Sequence, residues 1–149
     1  MKFLVAIDGS PASEHALARA IDIARPSGAS LLLLTVAEVD SGAFWPGVLP
    51  TGEPVYQGPP LVELEEVARA VGEAALEKAR KLCEQAELAC ETRLEFGHAR
   101  ETICEVAEKE KPDVLVIGSR GLGGMQRLML GSVSDYVLHH AHCPVLVVR

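Results

Sequence analysis

Two runs of four apolar residues, Leu31-Leu32-Leu33-Leu34 and Val114-Leu115-Val116-Ile117, have no polar residue in either phase of a strand's two-residue period. Successive side chains on a strand point to opposite faces, so such a run must be covered on both. Strands covered on both faces belong to parallel sheets flanked by helices.

The segments around these runs supply the helices. Residues 2–7 form a further apolar strand that ends at Asp8-Gly9-Ser10-Pro11, where Ser10 suits a helix cap and Pro11 the first helical position. Ala16, Leu17, Ala20, Ile21 and Ala24 then recur at helical spacing up to about residue 25, and Gly28 breaks the pattern before the strand at residues 30–36. A long helix is expected over residues 61–86, with Leu64, Val67, Ala68, Val71, Ala75 and Leu82 on its inner side and Glu63, Glu66, Glu73, Glu77 and Lys81 outside. Cys90, Thr92, Leu94 and Phe96 alternate with Glu91, Arg93 and Glu95, which predicts a strand at a sheet margin with one wet side. Residues 99–110 read as a helix closed by Pro112, 113–117 as a strand, 132–140 as a short helix and 145–148 as a last strand. The prediction is a single α/β domain over residues 1–149: a doubly wound parallel sheet of five strands, Rossmann-like, with helices on both faces. Ligands of such sheets sit at the carboxyl ends of the strands, where the winding reverses.

Residues 38–60 break the alternation. They hold five of the nine Pro, four of the thirteen Gly and Phe44, Trp45 and Tyr56 from the six aromatics, with no period, and read as a long loop. A connection of this length is a lid, a contact surface or a tolerated insertion.

Composition narrows the function classes. The net charge of −7 gives no general attraction to nucleic acid or anionic lipid. No apolar run approaches the roughly 20 residues that span a bilayer, and the first apolar run stops at Asp8, too short for a secretory signal. The expected setting is cytoplasmic, with no membrane partner. Cys83, Cys90, Cys104 and Cys143 form no CxxC pair and read as reduced thiols. His139, His140 and His142 lie at a helix end, where a turn cannot aim three rings at one metal, and no Ser sits in a GxSxG elbow.

The chemistry gathers after the fourth strand, in Gly118-Ser119-Arg120-Gly121-Leu122-Gly123-Gly124, followed by Gly131-Ser132 at the start of the last helix. Glycine lets backbone N–H groups converge on an anion, and a helix start adds unpaired N–H groups and the positive end of a dipole. Together these predict a phosphate site, with Val133 in the same turn. Arg120 and Arg127 either add charge or are solvated, and Ser119 and Ser134 are either phosphate donors or loop and helix-start residues. No Gly is followed by Lys and no GxGxxG follows a strand, so neither a Walker A loop nor a dinucleotide fingerprint is present.

The spacing Gly118, two residues, Gly121, nine residues, Gly131-Ser132 resembles the ATP-binding branch of the universal stress protein family. So do Ala6-Ile7-Asp8-Gly9-Ser10, Leu33-Leu34-Thr35-Val36, Pro112-Asp113 and Cys143-Pro144-Val145-Leu146-Val147-Val148, and the likeness covers the whole chain. The resemblance implies the adenine nucleotide alpha hydrolase-like variant of the fold. It also implies ATP held by the glycine loop and the Ser132 helix end, with adenine near Val36 and the nucleoside near Ala6 and Asp8. At Ala6 a main-chain contact is expected. Asp8 would accept from a ribose hydroxyl or hold a Mg²⁺ bridging phosphates, and otherwise caps the following helix.

Three functions stay open: a nucleotide-binding regulatory protein of the stress response, a slow ATPase or phosphotransferase, and an interaction module with an empty crevice. The first leads, because the chain has no P-loop lysine and no evident base or arginine finger. A downstream protein partner is expected but unspecified. The short apolar strand at the C-terminus would leave an open edge, and the resemblance likewise implies a homodimer paired through it.

Overall fold

The computed structural model describes residues 1–39, 47–48, 50–52, 54–55, 61–119 and 130–149. Its elements in order are β1 (Lys2–Ala6), α1 (Pro11–Ser27), β2 (Ser30–Ala37), β3 (Gly47–Val48), β4 (Pro54–Val55), α2 (Leu61–Gln85), β5 (Cys90–Phe96), α3 (Ala99–Glu110), β6 (Val114–Gly118), α4 (Ser132–His140) and β7 (Val145–Val148). Five strands form one sheet in the order β5-β2-β1-β6-β7, and every pairing in it is parallel. The winding runs outward from β1 in both directions, so the reversal falls between β1 and β6, as the sequence predicts.

The unbroken apolar runs serve two cores. Phe3, Val5, Leu31, Leu33 and Val116 face α1 and α2, where Ala16, Leu17, Ala20, Leu76, Ala79 and Cys83 meet them. Leu4, Leu32, Leu34, Leu115 and Ile117 face α3 and α4, against Ile103, Val106, Ala107 and Val137. β1, β2 and β6 thus alternate between two dry faces.

Local chemistry sets the ends of α1. The Ser13 N–H donates to Ser10 Oγ at 3.2 Å, Pro11 occupies the first turn, and Gly28 ends the helix at a φ of +63°. This is the expected capping pattern, and the helix runs two residues past the periodic segment.

The inner face of α2 departs from the sequence reading. Leu64, Ala68 and Ala75 are half-buried as expected, but Val67 and Val71 are 62% and 65% exposed and Leu82 is also exposed, while Gly72, Leu76, Ala79 and Cys83 point inward. The 72-76-79-83 stripe begins with a glycine and contains a cysteine, so apolarity alone favoured the neighbouring valines. The loop reading of residues 38–60 is also refined, because β3 and β4 pair antiparallel with Gly47 opposite Val55 and Val48 opposite Pro54. Two-residue strands are too short to carry a period, and Gly and Pro read as breakers.

β5 lies at a sheet edge, as predicted, but its burial does not follow the expected alternation, since Thr92 and Phe96 are exposed while Arg93 and Glu95 are half-buried. Its exposed Phe96 ring is covered by the Arg69 guanidinium at 4.8 Å from the centroid. Arg93 reaches Glu110 of α3 at 2.7 Å, and Lys2 reaches the same carboxylate at 2.5 Å, tying β5, β1 and α3 together. The opposite edge is β7, whose four residues are all half-buried. Among the described residues no helix is long and apolar enough to cross a membrane.

Candidate functional site

The strand register builds the site. Ala6 of β1 lies opposite Leu34 of β2, and Val5 lies opposite Val116 of β6. Both ladders end there, and counting on from the last pairs Asp8 corresponds in number to Val36 on one side and to Ser119 on the other. The tips of β2, β1 and β6 are neighbours in the sheet, so Val36, Asp8 and Ser119 lie at three adjacent strand ends. Asp8 is exposed, Val36 half-buried, and Ala6 and Ser119 buried.

The start of α4 is fastened to these strand ends. The Gly131 N–H donates to the Ser119 carbonyl at 2.7 Å, and the Ser119 N–H donates to the Val148 carbonyl at 2.7 Å. The Ser134 hydroxyl, in a residue only 2% exposed, lies 3.1 Å from the Ser119 carbonyl and 2.9 Å from the Gly131 carbonyl as their donor. Ser134 thus acts on the main chain and holds the helix start against the end of β6. Gly131 caps α4 without a side-chain hydrogen bond, with Ser132 exposed and Val133 half-buried beside it. A helix start fixed this way presents its first N–H groups and the positive end of its dipole beside the strand ends.

Gly118 has a second duty that the sequence does not reveal. A Cβ there would lie 2.7 Å from both the carbonyl carbon and the oxygen of Ala12 in the first turn of α1. Its backbone is not in the positive-φ region, so the glycine is demanded by the neighbouring helix and not by its own dihedral angles.

Asp8 is held in an Asx turn. Its Oδ1 accepts from the Ser10 N–H at 2.9 Å and from the Ser10 hydroxyl at 2.5 Å, while the Ser10 hydroxyl oxygen caps α1. The helix-cap role considered from sequence therefore belongs to Ser10, with Asp8 supporting it one step back. Thr35, not among the residues singled out from the sequence, donates its hydroxyl to the Ile7 carbonyl at 2.8 Å. Its signal was present: a hydroxyl directly after four leucines in a strand whose other hydroxyl, Ser30, stands exposed at the start.

Arg120, Gly121, Leu122, Gly123, Gly124 and Arg127 lie outside the described residues. The structure brings together Ala6, Asp8, Val36, Gly118, Ser119, Gly131, Ser132, Val133 and Ser134 at the carboxyl end of the sheet. A separate cleft of about 380 Å³ lies between α1 and α2, with Asp8 and Gly9 at one end, apolar walls from Leu17, Val71 and Ala79, and the Lys78–Glu14 ion pair among its lining. Gly118, Ser119 and Gly131 are not among its lining residues.

His139 and His140 each turn Nδ1 to the carbonyl four residues back, at 2.8 Å, and the His140 ring stacks on Tyr136 at 3.9 Å. All four cysteines are free.

An exclusively parallel doubly wound sheet, with a helix start pinned beside the reversal point, defines a Rossmann-like α/β domain of the kind that takes anionic ligands at its strand tips. Comparison with known proteins places it further. The sequence pattern of the universal stress protein family matches residues 1–149, and the chain belongs to that family. A universal stress protein of Methanocaldococcus jannaschii is 35% identical over 148 residues, covering 99% of this chain and 81% of that protein. Among solved structures, UspA from Lactobacillus plantarum superposes with a TM-score of 0.79 at 28% identity, covering 100% of this chain and 97% of that one. A universal stress protein in complex with cAMP matches with a TM-score of 0.71 at 26% identity, over 100% of this chain and 97% of the other.

Proposed function

We propose that this universal stress protein binds ATP at the carboxyl end of its sheet and acts as a nucleotide-dependent regulatory protein of the stress response. The observation that carries the reading is the joint between Ser119 and Gly131, which holds the end of β6 and the start of α4 side by side next to Asp8. Phosphates would lie against the main chain of Gly118, Ser119, Gly131, Ser132, Val133 and Ser134. Residues 120–124 complete that cradle on the sequence argument alone. The nucleoside would lie along Ala6, Asp8 and Val36. The cAMP complex of a relative supports an adenine nucleotide as the ligand class.

Asp8 suits a Mg²⁺ that accompanies ATP. Magnesium is commonly held by one or two carboxylates plus phosphate oxygens and keeps several of its waters, so a single exposed carboxylate at the strand tip matches that donor set. When bound, the ion would neutralise phosphate charge. Binding, not turnover, is the proposed activity, and a cytoplasmic setting with free thiols is consistent with it. The half-buried β7 edge is proposed to pair with a second copy of the chain, giving a homodimer. Sedimentation showing only monomer at micromolar concentration would remove that part.

Equilibrium dialysis with labelled ATP, with and without Mg²⁺, tests the site. The native protein should retain ATP, and Gly121→Val with Gly131→Val should lower affinity at least tenfold while leaving the circular dichroism unchanged. Gly131 has a φ of −66°, which valine adopts without strain, so the part of the loss due to Gly131→Val would come from the crowded cradle. Undiminished affinity in the double variant refutes the proposed geometry. No retention by the native protein would favour a protein-interaction module instead.

A further inference from the structure

The ladder between β1 and β2 stops at Ala6 opposite Leu34, two residues short of Asp8. Beyond it, the Ile7 N–H still donates to the Leu34 carbonyl at 2.8 Å. The next group is the Ile7 carbonyl, which shares its peptide plane with the Asp8 nitrogen. That carbonyl is caught by a side chain: Thr35, 5% exposed, donates its hydroxyl to it at 2.8 Å. A buried hydroxyl among Leu31, Leu32, Leu33 and Leu34 carries a desolvation penalty unless it finds a partner, and this partner is the peptide that aims Asp8. On the far side, Ser10 holds Asp8 Oδ1 through both its N–H and its hydroxyl. Asp8 is therefore gripped from the preceding peptide by β2 and from the following turn by α1.

We infer that Thr35 is a positioning residue for the nucleotide site, fixing the Ile7–Asp8 peptide so that the Asp8 carboxylate stands ready for the ribose or for Mg²⁺. The inference rests on the nucleotide-binding reading and adds to it a residue that does not touch the ligand. Ser10 is a poorer probe of the same idea, because its hydroxyl also caps α1. Thr35 makes its one described side-chain bond to Ile7, and valine has the same branched shape without the donor.

The experiment is a double-mutant cycle on ATP affinity, measured by calorimetry in the presence of Mg²⁺, with native protein, Thr35→Val, Asp8→Asn and the double variant. Thr35→Val should weaken binding about fivefold to tenfold, the size of one buried hydrogen bond acting through position. Thr35→Ser, which keeps the hydroxyl, should return affinity to within about twofold of native. In the Asp8→Asn background the Thr35→Val loss should shrink to less than about twofold, because the group being positioned is gone. A loss of the same size in both backgrounds assigns Thr35 a general structural role and overturns the inference. Native affinity in Thr35→Val beside a clear loss in Asp8→Asn also overturns it, while leaving the nucleotide reading intact. Equal affinity of native protein and Asp8→Asn would instead sink the Asp8 part of the reading, and this inference with it. Circular dichroism checks folding; if Thr35→Val does not fold, Thr35→Ala against Thr35→Ser supplies the same contrast, and equal affinity of that pair overturns the inference.

Discussion

Replacing Gly118 by alanine is the most direct test of how the sheet and α1 fit together at the site. The added Cβ would stand 2.7 Å from the Ala12 carbonyl carbon and oxygen and 3.0 Å from the Ala12 Cβ, whereas ordinary contact begins near 3.4 Å. Relief requires a movement of about 0.7 Å, and two of the three obstacles are main-chain atoms in a capped helical turn that cannot swing aside. Overpacking of this kind costs about 1–3 kcal/mol, and the rigidity of the obstacle puts the expected loss near the top, at about 3 kcal/mol. A domain with about 5–15 kcal/mol of stability remains folded after such a loss. Urea titration followed by circular dichroism should show a lower midpoint at an unchanged slope. Gly28→Ala is the control: nothing lies within 4 Å of its added Cβ, so only the strain of a positive φ remains, about 1 kcal/mol. Adding Ala12→Gly to Gly118→Ala removes one obstacle of three and should recover less than half of the loss. A Gly118→Ala protein within about 0.5 kcal/mol of native, or complete recovery by Ala12→Gly, would refute the packing argument.

The corrected register of α2 predicts that Leu76→Ala costs about 2–5 kcal/mol while Val71→Ala stays within about 0.5 kcal/mol of native in the same titration; the reverse order would restore the valine face. Lys2 and then Arg93, by hydrogen bonding, hold the Glu110 carboxyl below the usual carboxylate range. Its contribution to stability is therefore complete above the unfolded-state value near about 4.3 and is lost as pH falls through the lower folded value, so the stability gap between native and Glu110→Gln should be constant from about pH 7 to 5 and close at lower pH. A gap unchanged at about pH 3 would contradict this. Burial foremost, and then the adjacent Cys90 thiol, pushes the Cys83 thiol up to about 12. Iodoacetamide near pH 8 should accordingly label Cys83 last of the four in the native protein and readily after unfolding, read by peptide mass; early labelling of Cys83 would show that its surroundings open.

The sheet was readable because its interior strands are apolar in both phases, a pattern that leaves a parallel, two-sided arrangement as the simplest solution. β1, β2, β6 and β7 lie within one residue of their expected bounds at either end, and the ends of α3 and α4 coincide with theirs. The face of α2 was harder. On a helix, a shift of one position rotates the apparent apolar stripe by about 100°, and Gly72 and Cys83 carry weaker apolar signals than Val67 and Val71. The candidate site was read as a set of residue types, and its register follows from the strands that carry them. What the sequence could not show is which atoms are already committed. Ser134 spends its hydroxyl on main-chain carbonyls, Gly118 makes room for Ala12, and Ser10 stands between Asp8 and the first turn of α1. These are long-range or turn-level contacts with no periodic trace.

The commitments have a consequence for how the site would work. Three hydroxyls around the strand tips, those of Ser10, Thr35 and Ser134, engage the protein's own groups, and two of them, Thr35 and Ser134, hold carbonyls at the ends of β1 and β6. Among the described residues these three side chains lock backbone, and the start of α4 offers an anion its main-chain N–H groups, its dipole and the exposed Ser132 side chain. The main-chain donors are fixed before the ligand arrives, so little ordering remains at the moment of binding, which favours affinity. They also carry no titratable proton near neutral pH and cannot act as a general base. Main-chain donors of this kind hold a phosphate chain without moving a proton, in keeping with the proposed retention of nucleotide, while the exposed Asp8 carboxylate is the titratable side chain described at the site.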